Sequence, residues 1–388
     1  MTGKVSFTEL DCSSGHRIGV AELDNTASLN ALTLDMLKQL KEKLEQWQAD
    51  DDIVCVFLAG AGEKAFCAGG DVRAMYHAMQ ADSLNKVNNK VNKSETEVSI
   101  AQAFLTEYFA VEYGCDYLIH RYRKPLIVWG DGIIMGGGVG LYIGASHRVT
   151  TPKARLAMPE ISIGLYPDVG GTWFLNQLPS GIGLFLALTG APVNASDALD
   201  LKLTDHLLLP EHKHMVLQQL QTSPWHSVED SHTLVTELLD NLGKSAVRQY
   251  PASQLIPYFA QIQAACSGVD LNVICQQIAA IDGMGRWLET AKATLASGSP
   301  ITAHICFRQL TQYQKLSLAE CFKLELTISV RCGLLGEFEE GVRARLIDKC
   351  DEPNWKFKTV EEVDPSVIDT LFTPLWSDAE HPLAYLDT

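Results

Sequence analysis

Two carboxyl residues, Glu160 and Asp168, stand in a stretch that is otherwise largely apolar: Met158-Pro159-Glu160-Ile161-Ser162-Ile163-Gly164-Leu165-Tyr166-Pro167-Asp168-Val169-Gly170-Gly171-Thr172. A carboxylate among apolar side chains is costly unless it is paired or put to work. Burial also lifts its pKa into a range useful for acid–base chemistry. Taken singly, either residue also fits an N-cap or a turn beside proline. Two glycine-rich segments come earlier in the chain. The first, Gly62-Glu63-Lys64-Ala65-Phe66-Cys67-Ala68-Gly69-Gly70-Asp71-Val72, follows a strand pattern and is expected to turn tightly into a helix capped by Asp71. Its paired glycines let the backbone approach a ligand and aim an N–H outward, with a plain turn as the competing reading. The second, Gly130-Asp131-Gly132-Ile133-Ile134-Met135-Gly136-Gly137-Gly138-Val139-Gly140, also follows a strand pattern and precedes a helix. A peptide N–H there suits a developing oxyanion. A close-packed glycine crossing of helix and sheet would use the same residues, and a P-loop is excluded because no Gly-Lys-Ser/Thr follows.

The elements that must carry these segments are legible around them. Residues 5–10 and 17–23 alternate as strands about the turn signal Ser13-Ser14-Gly15. From Thr33 a helix is expected, with Leu37, Leu40, Leu44 and Trp47 on one face, and then a buried strand at 53–58. A helical, polar stretch spans 74–120, its centre at 81–96 reading as an exposed insertion. Lys124-Pro125 then introduces a strand at 126–129, the glycine loop, a short helix and a strand at 148–150. Repeated strand–turn–helix units suggest a stacked α/β core and not a doubly wound sheet. From about 174 the pattern is helical, over 173–189, 195–201, 211–221, 233–242, 253–265, 271–280, 284–296 and 317–334. Pro365, Pro374 and Pro382 suggest a carboxyl-terminal tail lying on the surface.

Composition narrows the function. The chain has 388 residues with 31 Lys and Arg against 47 Asp and Glu, a net charge of −16. That balance argues against nucleic acid as a partner, and any phosphate-bearing ligand must be met by local groups. The 10 cysteines are scattered without a CxxC, which reads as reduced thiols and not as a disulfide framework. The first residues show no apolar or Arg-rich targeting pattern, and apolar runs break well before the ~18 residues of a membrane span. A cytoplasmic protein with no membrane partner is expected. His212-x-His214 lacks a nearby third ligand and reads as a solvated helix face, not a metal site. No Gly-x-Ser-x-Gly elbow is present, and Cys67 has no neighbouring His, so it reads as a packing residue.

Together the three segments resemble the enoyl-CoA hydratase/isomerase (crotonase) superfamily, in which KAFCAGGD is followed by GGG after a core strand and then by PE-x6-PD-x-GG. The resemblance implies an α/β crotonase (ClpP/crotonase-like) fold of repeated ββα units forming a spiral core, with a C-terminal helical region. The resemblance runs from about residue 3 to 208, giving a catalytic core at 1–208 and a helical region at 209–388 that covers the acyl-CoA site. It also implies that the thioester oxygen lies between the N–H groups of Gly70 and Gly137. Leu23 to Leu32 is similar to the family's LxxPxxxNAL segment along the coenzyme A, although the usual proline is absent.

Departures select the branch. Hydratases carry a catalytic Glu two residues after the GGG, where this chain has Gly140; Glu160 is kept, and Asp168 replaces a small residue. This pattern resembles 3-hydroxyisobutyryl-CoA hydrolases, as do Glu340-Gly341-Val342-Arg343-Ala344-Arg345-Leu346-Ile347-Asp348-Lys349 and Pro353-Asn354-Trp355. The resemblance implies thioester hydrolysis of the valine-catabolism type. Glu160 acts as nucleophile or general base, Asp168 orients the substrate's 3-hydroxyl or assists the leaving thiolate, and Glu112 lines the acyl pocket. No metal or redox cofactor is expected, coenzyme A being part of the substrate, and a homo-oligomer is compatible. The alternatives are a hydratase or isomerase on another acyl-CoA, and a catalytically silent acyl-CoA-binding scaffold.

Overall fold

The computed structural model describes residues 3–88, 98–225 and 228–387. Among the described residues ten strands form two sheets: β1 (Lys4–Asp11), β2 (Arg17–Asp24), β3 (Ile53–Gly60), β4 (Ala65–Cys67), β5 (Leu126–Gly130), β6 (Ile133–Met135), β7 (His147–Thr150), β8 (Arg155–Ala157), β9 (Val193–Asn194) and β10 (His206–Leu207). The larger sheet runs β1-β2-β3-β5-β7-β10 and the smaller β4-β6-β8-β9. Only β1 with β2 and β8 with β9 pair antiparallel. β1 and β2 can do so because Gly15, at φ 87°, closes the turn between them. Each long parallel strand is followed within a few residues by a short one in the other sheet: β3 by β4, β5 by β6, β7 by β8. Every repeat therefore adds one strand to each sheet. This is the spiral of ββα units that the resemblance implied.

The chain forms two compact units. The first comprises Met1–Gly70, Gly114–Ala157 and Pro192–Pro257 and holds all ten strands. Its sheet is buried on both faces, so β3 and β5 read as continuous apolar runs and not as alternating ones. One face, with Cys55, Phe57, Ala59, Ile127 and Trp129, packs under Val216 and Leu220 of the helix His212–Thr222 and Val235 and Leu239 of the helix Val228–Gly243. The helix Leu34–Ala49 starts where the Thr33 side chain accepts from the Met36 N–H, and it buries Leu37, Leu40, Leu44 and Trp47 as expected.

The second unit comprises Asp71–Tyr113, Met158–Ala191 and Tyr258–Thr388, and its described residues are helical or irregular. Each unit draws on residues from both sides of position 208, because the first two helices beyond it spend their apolar faces on the sheet. Three local expectations need correction. The helix expected at 173–189 is broken by Gly181 at φ 81° into Gly171–Phe174, a 3-10 turn and Ile182–Thr189. A helix not expected at all, Pro300–Gln312, begins at the Ser299 cap with proline in its first turn. The carboxyl-terminal segment is no surface tail throughout: the helix Pro365–Phe372 buries Ile368, Leu371 and Phe372, and Leu383 is fully buried. The second half of the expected insertion at 81–96 lies outside the described residues; its first half continues the helix Val72–Asn88.

Candidate active site

Gly70 and Gly137 fall in the first unit, where their two loops approach each other. A Cβ added to Gly69, which sits at φ 114°, would lie 3.4 Å from the Met135 carbonyl oxygen and 3.8 Å from the Gly137 nitrogen. One added to Gly138 would meet the Cys67 carbonyl oxygen at 2.4 Å, so only glycine fits. The first loop is fixed by the segment 25–32. The Leu32 N–H donates to the Gly69 carbonyl at 2.9 Å and the Ala68 N–H to the Leu29 carbonyl at 3.0 Å. Asn30, buried and at φ 59°, donates from Nδ2 to the carbonyls of Ala61 and Ala65, both at 2.9 Å, and accepts from the Asn25 N–H. The second loop turns at Gly136, φ 50° and ψ −125°, into the helix Gly137–Ile143. Among the described residues, the N–H groups of Gly70 and Gly137 donate to no other protein group. Buried Cys67 packs its thiol against the Gly69 backbone, in keeping with its reading as a packing residue.

Glu112, Glu160 and Asp168 fall in the second unit, and all three are buried. Glu112 projects from the helix Ile100–His120, and Glu160 opens the 3-10 turn Glu160–Ile163. Asp168 starts a tight turn in which its carbonyl accepts from the Gly171 N–H at 2.7 Å. Among the described residues, Oε1 of Glu112 and Oε2 of Glu160 are buried with no hydrogen-bond partner. Burial pushes both glutamates well above the usual carboxylate range, and the charge of Asp168 pushes them further. Burial raises Asp168 too, opposed by the hydrogen bond from Tyr113. The structure thus brings the three predicted carboxyls into one mutually repelling group.

Several residues that hold this group escape the sequence reading. The Tyr113 hydroxyl is 2.6 Å from Asp168 Oδ2 and 2.7 Å from Ser329 Oγ; Ser329 Oγ is 2.8 Å from the Tyr166 hydroxyl, which donates to the Glu325 carbonyl at 2.7 Å. The buried side chain of Glu325 accepts from the N–H groups of Gly170 at 2.7 Å and Thr172 at 2.8 Å, bracing the turn after Asp168. Gln309 donates to Thr172 Oγ1 at 2.7 Å and to the Pro167 carbonyl at 3.3 Å. Glu325 and Ser329 did leave a signal: two polar residues one helical turn apart inside an apolar run.

His212 departs from its expected place on a solvated face. It is buried, accepting from the Leu209 N–H at Nδ1 with Ser245 Oγ 3.2 Å from Nε2, whereas His214 is exposed. Among the described residues no group of three His, Cys, Asp or Glu is arranged to hold a metal ion.

Residues 18–372 match the family model described as enoyl-CoA hydratase/isomerase. The chain belongs to the enoyl-CoA hydratase/isomerase family. Within the family it falls in the 3-hydroxyisobutyryl-CoA hydrolase branch. It is 36% identical over 364 residues to the mitochondrial 3-hydroxyisobutyryl-CoA hydrolase of Danio rerio, covering 92% of this chain and 88% of that protein. Against the Homo sapiens protein of the same name it is 33% identical, covering 92% and 87%. Solved crotonase-type structures are similar as well. An enoyl-CoA hydratase from Rhodobacter sphaeroides aligns at TM-score 0.77 and 26% identity, over 95% of this chain and 97% of that one. A carnitinyl-CoA dehydratase from Mycobacterium thermoresistibile aligns at TM-score 0.76 and 28% identity, over 95% and 96%. No described helix is long and apolar enough to cross a membrane.

Proposed function

We propose that the chain hydrolyses an acyl-CoA thioester, 3-hydroxyisobutyryl-CoA and water giving 3-hydroxyisobutyrate and coenzyme A, a reaction of valine catabolism. The observation that carries this reading is Glu160: buried, beside Asp168, with Oε2 lacking a hydrogen-bond partner among the described residues. An orphaned oxygen of that kind is tolerated where substrate or water completes it. The branch membership reported above supports the same reaction.

In this scheme the N–H groups of Gly70 and Gly137 receive the thioester oxygen as it takes negative charge. One such donor is commonly worth ~2.7–4 kcal/mol in the transition state. Ionised Glu160 either attacks the carbonyl carbon, giving a mixed anhydride that water then opens, or takes a proton from the attacking water. The C–S bond breaks, and the thiolate sulfur receives a proton from Asp168. Glu112 fixes the acyl end. Gly140 brings no second glutamate to the position hydratases use, so addition of water to an enoyl-CoA lacks one of its two acid–base groups. No metal or redox cofactor enters the scheme. A reducing compartment, cytoplasmic in our reading, is supported by ten free cysteines, eight of them buried, although the named relatives are mitochondrial. A homo-oligomer is compatible with the scheme but is not required by it.

Glu160→Gln keeps the size of the side chain and removes its charge. Thiol release from 3-hydroxyisobutyryl-CoA is expected to fall at least ~10²-fold in kcat, with coenzyme A binding retained. Near-normal turnover in that variant would remove the mechanism. In a single turnover in ¹⁸O-water, label found by mass spectrometry in the peptide holding Glu160 identifies it as the nucleophile, water having opened the anhydride at the Glu160 carboxyl carbon.

A further inference from the structure

Four short contacts run in series from Asp168 Oδ2 through the hydroxyls of Tyr113, Ser329 and Tyr166 to the carbonyl of Glu325, at 2.6, 2.7, 2.8 and 2.7 Å. Asp168, Tyr113, Tyr166, Glu325 and Ser329 are all buried. Oxygens that close in a buried site need a proton between them. The three hydroxyls supply three protons, and the carbonyl at the far end supplies none. With Asp168 ionised, Tyr113 donates to it, and Ser329 then has a single proton for two neighbours. One link is left as two bare oxygens in contact. With Asp168 protonated, every link is filled: Asp168 donates to Tyr113, Tyr113 to Ser329, Ser329 to Tyr166, and Tyr166 to the carbonyl.

We propose that the hydroxyl chain Tyr113–Ser329–Tyr166 holds a proton on Asp168 and thereby leaves Glu160 as the charged carboxyl of the pair. The inference rests on the reading of Glu160 and Asp168 as the working carboxyls and adds how one fold assigns them opposite protonation states. The groups acting on Asp168 and its neighbours come from several elements. Glu112 and Tyr113 stand on the helix Ile100–His120, Glu160 and Tyr166 on the segment 160–166, and Glu325 and Cys332 on the helix Leu318–Leu335; Cys306 of the helix Pro300–Gln312 faces Glu160. Burial raises Glu160 most and the charge on Asp168 raises it further, so a neutral Asp168 removes one of the obstacles to ionising Glu160. Tyr113 stabilises an ionised Asp168 only when its proton points that way, and that arrangement is the one that leaves a link empty. Tyr113, Ser329 and Tyr166 are positioning residues: they act through Asp168.

Proton counting gives an outcome opposite to simple loss of a hydrogen bond. In Ser329→Ala two links remain, filled by the protons of Tyr113 and Tyr166, and an ionised Asp168 is then fully satisfied. In Tyr166→Phe the protons of Ser329 and Tyr113 fill the two links that remain, with the same result. The full-length protein, labelled with ¹³C at aspartate carboxyls, can be titrated by NMR, the Asp168 signal being assigned with Asp168→Asn. The Asp168 midpoint is expected to fall by about one unit or more in both variants, and to stay in place in Ser329→Thr, which keeps the hydroxyl. The alkaline limb of the hydrolysis pH profile should move down in parallel. Midpoints unchanged or raised in the folded variants overturn the chain; two variants guard against one failing to fold. Midpoints that fall while the hydrolysis profile stays put leave the chain standing and instead remove Asp168 from the hydrolytic mechanism.

Discussion

Glu325 acts as a brace through the backbone of the turn after Asp168, and its removal should be felt in both stability and turnover. Its two carboxyl oxygens accept from the N–H groups of Gly170 and Thr172 at 2.7 and 2.8 Å. The turn they hold is not a relaxed one, since Val169, a β-branched residue, sits at φ 50°. A left-handed conformation of that kind costs on the order of 1–3 kcal/mol and persists only where its surroundings enforce it. Glu325→Ala would leave two buried N–H donors without partners, at about 1–3 kcal/mol each, or about 2–6 kcal/mol in all. Glu325→Gln keeps one acceptor and should lose about half as much. Urea unfolding reads the difference as a lower midpoint at unchanged slope. The freed turn also carries Asp168, so kcat for thiol release is expected to drop at least about tenfold, a loss typical of misplaced catalytic groups. A Glu325→Ala protein within about 0.5 kcal/mol of the parent, the range of neutral surface changes, would refute the bracing role.

Two further expectations concern charge and backbone. Glu112 is raised well above 4.5, by burial first and then by the charge of Asp168, so the folded protein holds a proton that the unfolded chain has already lost. Its contribution to stability is therefore complete below about pH 4.5 and is lost as pH rises through the raised value. Glu112→Gln should flatten the decline of unfolding free energy above about pH 4.5, and a decline as steep as the parent's would contradict this. Replacing the Gly137 amide by an ester through chemical synthesis deletes one N–H without touching a side chain. A fall in kcat of about 10²-fold or more is expected, and an unaltered rate in a folded protein would mean that the thioester oxygen sits elsewhere.

The parts of the fold that could be read in advance are those whose determinants are local. Thr33 caps its helix three residues away, Gly15 closes its own hairpin, and the glycine loops and carboxyl segment each lie within about a dozen residues. Helix Pro300–Gln312 was hidden because its buried face includes Thr302 and Gln309, which blur the apolar period, and because Ser299-Pro300 reads as a break. The compact units are built from separated segments, and nothing in residues 212–243 says which surface their apolar face will cover. The hydroxyl chain was the least legible. Ser329 meets Tyr113 across 216 residues and Tyr166 across 163, and no pattern in any one segment announces the meeting.

The central claim, that this family member is built for hydrolysis and not for hydration, is open to one direct comparison. A single preparation can be given 3-hydroxyisobutyryl-CoA and crotonyl-CoA in parallel, with free thiol followed for the first and loss of enoyl absorbance for the second. General acid–base catalysis contributes roughly 10²–10⁴-fold, so the missing carboxyl at Gly140 should leave hydration far below hydrolysis. Fast thiol release with negligible enoyl loss is the expected result; enoyl loss faster than thiol release would contradict the account and leave only the fold.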